Sequence, residues 1–199
     1  MGERTQPTIM AISGPRPKKL CNYYRKAYVQ AVNELEAAFR DCYAHGIRTF
    51  LFGGAQGIDQ LAFWAAYRIK QTNPEVALHV YVPFPGQESI WLKTGLFSQA
   101  EYKQMLDVAD KVIYVDDQKP TTRSGTVTAL MARNACMVRA MDIGFVVSNA
   151  DHGDFGTGGT AAFWERAVRE GKPIIRYKYE TYPVLHLWRE TKNHDTDRM

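Results

Sequence analysis

The segment from Thr49 to Lys70 reads TFLFGGAQGIDQLAFWAAYRIK, a short apolar run followed by a glycine-rich turn and a longer stretch with helical spacing. Four residues fall on one face of that stretch: Leu61, Trp64, Ala65 and Ile69. Apolar residues repeating at this spacing are typical of a helix that packs against a sheet. The segment therefore predicts a strand, a tight turn and a helix in succession.

The same alternation extends over the rest of the chain. Short apolar runs predict strands at 8–13, 49–54, 77–83, 111–115, 143–147 and 173–179, and helical spacing predicts helices at about 22–45, 58–71, 98–110, 125–142 and 158–171. Apolar strands that alternate with helices of ten or more residues indicate right-handed βαβ units and a parallel sheet covered on both faces. We expect one Rossmann-like, doubly wound α/β domain of six or seven strands over residues 1–181. Residues 182–199 are expected to form a partly flexible extension, anchored near Leu185–Trp188.

The composition sets limits on the class of protein. With 199 residues, 45% of them hydrophobic and 23% charged, the chain resembles an ordinary globular protein. No apolar run approaches the roughly 20 residues that cross a bilayer, and the start MGERTQPT lacks a signal-peptide hydrophobic segment, so a cytoplasmic location is expected. The three cysteines are odd in number and form no CxxC pair, which argues against disulfides and a structural zinc site. A net charge of +4 does not demand a nucleic-acid partner.

Three unusual loops follow predicted strands: SGPRP after the first, GGAQGID after the second and DHGDFGTGGT after the fifth. Ligands of open α/β sheets bind beyond the carboxyl ends of the strands. Glycines allow close backbone approach there, and a helix N-terminus offers N–H groups and a partial positive charge. These loops predict phosphate sites, although the spacing in GGAQGID matches neither GxGxxG nor a Walker motif. The alternative for GGAQGID is a simple tight turn.

The candidate ligand-binding residues lie in these loops and in two further segments. They are Ser13, Gly14 and Arg16; Gly53, Gly54, Gln56, Gly57 and Asp59; Trp91 in the loop after the third strand; Arg133 and Asn134 on the helix before the fifth strand; and Gly156, Thr157, Gly158, Gly159 and Thr160. Arg16 could bind a phosphate bidentately or lie on the surface. Asp59 could hold a ribose hydroxyl or cap its helix, and Trp91 could stack on a base or pack on the core.

Together these residues resemble the SLOG superfamily, which includes the DNA-processing protein DprA and the LOG phosphoribohydrolases. GGAQGIDQLAFWAA is similar to the SGxAxGID motif of DprA, and ISGPRP, VPFPGQESIW and Arg133-Asn134 resemble segments of the YpsA-type family of unknown function. The resemblance covers Thr8 to about Tyr179. It implies a Rossmann-like fold and a nucleotide-type ligand, with no certain cofactor.

LOG proteins carry an Arg on a helix and then a PGGxGTxxE loop, and they use that Arg and Glu to cleave the N-glycosidic bond of nucleotides. By this resemblance Arg133 matches the Arg, and Gly156, Gly159 and Thr160 match the loop. Phe163 occupies the position of the Glu, and Glu165 lies about 200° further around the helix. No catalytic residue is therefore assigned. We expect a non-hydrolytic protein that senses or sequesters a nucleotide or a nucleotide-derived signal. We also expect it to form a homodimer or a higher homo-oligomer.

Two alternatives stay open from the sequence. The first is a nucleotide N-glycosidase whose acid has moved to Asp59, Asp154 or Glu165. The second is DprA-like binding of single-stranded DNA, which requires a basic groove and a strong salt dependence.

Overall fold

A computed structural model of the chain describes residues 7–21, 25–91, 96–150, 157–181 and 184–190. These residues form a seven-stranded sheet in the order β4-β3-β2-β1-β5-β6-β7. The strands are β1 Ile9–Ser13, β2 Thr49–Phe52, β3 Ala77–Val82, β4 Lys111–Tyr114, β5 Ile143–Val147, β6 Ile174–Glu180 and β7 His186–Arg189. The first six strands pair in parallel and β7 pairs antiparallel to β6. The predicted Rossmann-like α/β fold is confirmed.

Five α-helices accompany the sheet: α1 Val29–Ala44, α2 Ile58–Lys70, α3 Gln99–Val108, α4 Arg123–Ala140 and α5 Gly159–Arg169. Short 3₁₀ helices cover Pro17–Lys19, Arg25–Tyr28 and Gln87–Ile90. Among the described residues, no helix combines the length and the apolar character that a bilayer span requires.

Successive side chains of a strand lie on opposite faces of the sheet and pack in two hydrophobic cores, one on each face. Met10 and Ile12 of β1 pack in the larger core with buried residues of α1, α2 and α3. Ala11, between them, packs in the smaller core with buried residues of α4 and α5. This alternation follows from the period of two in a strand, and it shows that both faces of the sheet are covered.

The structure differs from the sequence-based expectations mainly at element ends. The α-helix expected from residue 22 begins at Val29, after the 3₁₀ helix Arg25–Tyr28, and residues 22–24 lie outside the described residues. Helix α4 begins two residues earlier than expected because the Thr122 side chain accepts a hydrogen bond from the Gly125 N–H. Strand β7 lies in the part of the chain that was expected to be an extension.

The strand order places the reversal point of the sheet between β1 and β5. The chain moves outward from β1 through β2 and β3 to β4, and then returns to pair β5 on the other side of β1. Loops that leave adjacent strands in opposite directions open a crevice at the carboxyl edge of the sheet. The loops after β1 and β5 therefore meet at one place.

Candidate functional site

A crevice of about 480 Å³ opens at this reversal point. The segments after β1 and β5, the first turn of α5, and one side of α4 form its walls. Of the sequence-predicted residues, those that line it are Ser13, Gly14, Arg16, Asp59, Arg133, Asn134, Thr157, Gly158, Gly159 and Thr160. The fold thus brings ten residues from four separated segments of the sequence into one crevice.

The N-terminus of α5 opens into the crevice. Gly158 precedes the helix with a φ of 105°, a left-handed conformation that favours glycine, and no described side chain caps this end. The Asn134 Nδ2 donates to the Gly159 carbonyl over 2.9 Å, which ties the first turn of α5 to α4. The first turn contains no acidic residue. The first N–H groups of a helix lack partners within it, so this end of α5 presents donors and a partial positive charge to the crevice.

An arginine and a carboxylate are buried together at the floor of the crevice. Arg133 Nη1 lies 3.5 Å from Asp59 Oδ2, and each side chain is less than a tenth exposed. Asp59 Oδ2 also accepts a hydrogen bond from the Ala55 N–H over 3.2 Å. The Arg133 Nε is buried, and no described residue accepts a hydrogen bond from it. Because a guanidinium carries five donors, this pair leaves part of the hydrogen-bonding capacity of Arg133 unused.

Burial opposes the charged forms of both groups. It raises the pKa of Asp59, against the attraction of Arg133 and Arg16, which acts in the other direction. It also lowers the pKa of Arg133, against the attraction of Asp59. An anion that entered the crevice would stabilise the charged guanidinium, since each opposite charge nearby favours the ionised form.

Gly53 makes room for this arginine. A Cβ built on Gly53 would lie 1.3 Å from Arg133 Nη1 and 2.7 Å from Asp59 Oδ2. The first glycine of GGAQGID therefore serves the buried pair, and does not line the crevice itself.

The rest of GGAQGID packs behind the crevice. The Ile58 N–H donates to the Pro15 carbonyl over 3.3 Å, and a Cβ on Gly57 would lie 2.4 Å from that same oxygen. Gly54, with a φ of 67°, lies against Tyr102, Val80 and Gln87. The loop after β1 thus covers the start of α2. Asp59 alone of its predicted site residues reaches the crevice.

Gln56 and Trp91 lie away from the crevice lining. The Gln56 Nε2 donates to the Phe97 carbonyl over 2.9 Å, so this buried amide holds the chain just before α3. Trp91 packs edge-on against Tyr102, with ring centroids 4.8 Å apart. The Trp91 ring therefore packs on the core and does not line the crevice.

The positions considered for a catalytic carboxylate differ in their burial and in whether they line the crevice. Phe163, at the position of the LOG glutamate, is fully buried in the smaller core. Glu165 is exposed and absent from the crevice lining. Gly156 and Asp154 lie outside the described residues. Among the described residues, Asp59 is the carboxylate that lines the crevice, and it is paired with Arg133.

Two apolar residues of α4 that were not among the candidate site residues, Leu130 and Met131, line the crevice, and Met131 is 36% exposed. Apolar spacing identified the helix, but it could not tell a core face from a crevice wall. Residues 147–150 and Tyr179 were also missed; their signal was their place at the carboxyl ends of β5 and β6.

Lys18 and Lys19 lie exposed on the 3₁₀ helix after β1 and line the outer part of the crevice. With Arg16 and Arg133 they give the lining four cationic side chains against the single described carboxylate. Within the described part of the chain, no group of three His, Cys, Asp or Glu side chains is placed to hold a metal ion.

Comparison with known proteins supports the resemblance drawn from the motifs. The model of the YpsA family, described as the YspA SLOG family, matches residues 10–175. The chain is 26% identical to the uncharacterized SPbeta prophage-derived protein YoqJ of Bacillus subtilis strain 168 over 146 residues, which are 70% of this chain and 74% of YoqJ.

Two UPF0398 proteins match shorter stretches. The chain is 32% identical to the UPF0398 protein BH1768 of Halalkalibacterium halodurans over 90 residues, 45% of this chain and 42% of that protein. It is 26% identical to a UPF0398 protein of Bacillus velezensis over 106 residues, 49% of this chain and 58% of that protein. The matches thus span about half the length of these two relatives. Because the family model runs from β1 into β6, the chain belongs to the YpsA family of SLOG proteins.

Proposed function

We propose that the chain binds a nucleotide or a nucleotide-derived ligand in the crevice between β1 and β5, without hydrolysing it. The observation that carries this proposal is that one crevice holds both the N-terminus of α5 and the buried Arg133, and among the described residues no side chain caps that helix end and none accepts a hydrogen bond from the Arg133 Nε. Helix N-termini and guanidinium groups both bind phosphates.

The phosphate of the ligand would lie against the first turn of α5. Gly158 and Gly159 are exposed there, so an anion can approach the backbone closely. Arg133 would contact the phosphate from the crevice floor and Arg16 from the mouth. The positive charge on these groups is balanced only in part by Asp59, and an added phosphate would complete the balance.

The nucleoside would extend along the apolar part of the lining. Leu130 and Met131 of α4 form one wall, and Val147 and Tyr179 contribute from the strand ends. A volume of about 480 Å³ lies within the range of small-molecule sites. Mixed apolar walls with convergent cationic groups suit a ligand that has a planar base and a charged end.

The proposal of binding without hydrolysis rests on the side chains near the anion site. The LOG reaction uses a carboxylate to stabilise an oxocarbenium-like centre or to activate water. In this chain that position is the buried Phe163, and Asp59 is engaged by Arg133. We therefore expect nucleotides to be held intact.

Differential scanning fluorimetry with nucleoside mono- and diphosphates, cyclic nucleotides and ADP-ribose tests the binding proposal. A true ligand at about 100 times its Kd should raise the Tm by about 5–10 °C. Arg16→Ala, at an exposed position, should weaken binding, and the Tm of the unliganded variant shows how far Arg16 supports the fold itself. Arg169→Ala, at an exposed arginine near the far end of α5, is the matched control.

The outcomes separate binding from catalysis. The absence of a Tm shift with every nucleotide would reject the proposal. Chromatography of the incubated nucleotides should show no free base. Release of base that Arg133→Lys abolishes would instead establish the N-glycosidase alternative.

A further inference from the structure

A buried arginine on β6 contacts three parts of the chain that meet beside the crevice. The Arg176 side chain is 6% exposed, and its guanidinium lies 5.0 Å from the centre of the Trp164 ring on α5. Its Nη2 donates to the Ala150 carbonyl, and its Nη1 forms an ion pair with Glu190. One guanidinium thus joins the segment after β5, helix α5 and the residue that follows β7.

Two of these contacts flank the predicted phosphate loop. Ala150 lines the crevice and is the last described residue before the glycine-rich stretch, and Trp164 belongs to the helix that begins after it. Other bonds attach the same segment to β6: the Ser148 N–H donates to the Tyr177 carbonyl over 2.8 Å, and the Asn149 side chain pairs with both backbone groups of Tyr179. The segment before the glycine-rich loop and the helix after it therefore both contact β6, and Arg176 contacts both of them.

Glu190 supplies the negative charge that Arg176 needs. Its carboxylate is paired with Arg176 and with Lys178 at 3.1 Å, and its N–H donates to the Arg176 carbonyl over 3.0 Å. Within the described part of the chain, the Arg176 Nε has no hydrogen-bond partner, and Glu190 is the carboxylate that pairs with this buried cation. A buried charge that loses its partner is strongly destabilised and moves toward water when it can.

We infer that Glu190, acting through Arg176, positions the anion site of the crevice, and that both are positioning residues for ligand binding. The inference rests on the proposed nucleotide-binding function. If the carboxylate is removed, Arg176 gains by leaving the Ala150 carbonyl for solvent, and the segment before the loop loses an anchor. The geometry of the α5 N-terminus relative to Ala150 is then less well defined, and a phosphate binds less tightly.

The variant Glu190→Gln tests this with a matched control. Glu36 is also a partly exposed carboxylate that pairs with two cations, Arg40 and Arg68, but it lies on α1 and does not line the crevice. Glu36→Gln therefore removes the same kind of network elsewhere. We expect Glu190→Gln to weaken the affinity for adenosine 5′-monophosphate about three- to tenfold relative to Glu36→Gln, as measured by calorimetry. Glu190→Asp, which keeps the charge, should restore part of the lost affinity.

Hydrogen exchange without ligand gives a second readout. Amides of residues 148–150 and 157–161 should exchange faster in Glu190→Gln than in Glu36→Gln, while the strand amides of β1 and β2 should not change. Unchanged exchange in these segments would overturn the inference. Faster exchange with unaltered nucleotide affinity would overturn it too, because the pair would then be purely structural. If the wild-type protein binds no nucleotide, the proposed function fails, and exchange still decides whether Arg176 anchors the loop.

Discussion

The pair formed by Asp59 and Arg133 is the residue-scale feature on which the crevice depends. Both side chains are buried, and the contact between them is a single 3.5 Å approach. Such pairs contribute little net stability by themselves, but removal of one partner leaves the other as an uncompensated buried charge. Replacement of either residue alone should therefore destabilise the fold. In the intact pair, Arg133 keeps hydrogen-bond donors that a ligand could use.

Arg133→Met should lower the free energy of unfolding by about 3–5 kcal/mol, because Asp59 would lose its cation. The double variant Asp59→Asn/Arg133→Met should recover much of that loss, since no charge remains buried. Urea unfolding of the two variants and the wild type measures both effects. A cost below about 1 kcal/mol for Arg133→Met would contradict the buried pair.

The pH dependence of stability provides a separate prediction. Burial raises the pKa of Asp59 above its ordinary value of 3.8, so the folded chain binds a proton more tightly than the unfolded chain does. The contribution of Asp59 to stability is therefore fully present below pH 3.8 and is lost as the pH rises through the folded pKa. Arg133→Met removes an attraction that lowers this pKa, so the decline should extend to higher pH.

Urea unfolding of the Arg133→Met variant between about pH 4 and pH 8 measures this decline. Adding Asp59→Asn should abolish the part of the decline that comes from Asp59, because no titrating group then remains at this position. If stability in the single variant increased with pH over this range, the sign assigned to Asp59 would be incorrect.

Gly57 offers a steric test of the packing between the first two loops. Its φ of 100° is unfavourable for other residues, and a Cβ would meet the Pro15 backbone oxygen at 2.4 Å. Gly57→Ala should therefore cost about 3 kcal/mol or more. Gly171 also has a positive φ, but a Cβ there meets nothing within 4 Å, so Gly171→Ala should cost only about 1 kcal/mol. Equal costs in urea unfolding would contradict the covered start of α2.

At the scale of elements, the local sequence pattern was sufficient to predict the bounds of individual strands and helices. The predicted bounds of β5 agree with the structure, and α2 differs by one residue, because apolar runs and helical spacing mark them directly. Sequence could not place Arg133, because its burial depends on the space that Gly53 leaves at the end of a distant strand. It could not orient Leu130 and Met131 for a similar reason: α4 carries apolar side chains on both its core face and its crevice face.

The first turn of α5 allows a prediction in which stability and affinity change in opposite directions. Thr160 is partly exposed and lines the crevice. Thr160→Glu places a negative charge near a helix N-terminus, which should stabilise the fold by about 0.3–1 kcal/mol relative to the neutral Thr160→Gln. The same charge should repel a phosphate and weaken nucleotide binding about tenfold or more relative to Thr160→Gln.

Thermal unfolding and calorimetry on the two Thr160 variants give the two quantities. Because Glu and Gln have nearly the same shape, steric loss of affinity is common to both and cancels in the comparison. Equal nucleotide affinities would contradict the placement of the phosphate at α5.

At the scale of the whole molecule, the site depends on a pairing that is remote in sequence. Strand β1 pairs with β5 from Met10 opposite Ile143 to Ser13 opposite Val146, and this pairing brings SGPRP beside the segment that follows β5. The sequence predicted that both loops lie at the carboxyl edge, but strand order in a parallel sheet is not encoded by local periodicity. The predicted homodimer or higher oligomer stays a prediction, which size-exclusion chromatography with light scattering can test.

Residues 184–190, the last that the structure describes, pack against the rest of the domain. Leu185 and Leu187 are buried in the larger core, at 0% and 3% exposure, and the Leu185 N–H donates to the Ala27 carbonyl over 2.9 Å. The Leu187 N–H donates to Glu34 on α1, and β7 continues the sheet beyond β6. Residues 184–190 therefore pack as part of the domain, which gives Glu190 a fixed place from which to act on Arg176.

Leu185→Ala and Leu187→Ala should each lower the free energy of unfolding by about 2–5 kcal/mol, because each leaves a cavity in the larger core. Val168→Ala, at a position 48% exposed on α5, is the control and should change it by less than about 0.5 kcal/mol. Urea unfolding provides the comparison. If both leucine variants behaved like the control, β7 would be a loosely held extension. The Arg176 contact with Glu190 would then lack the rigid support that positioning requires.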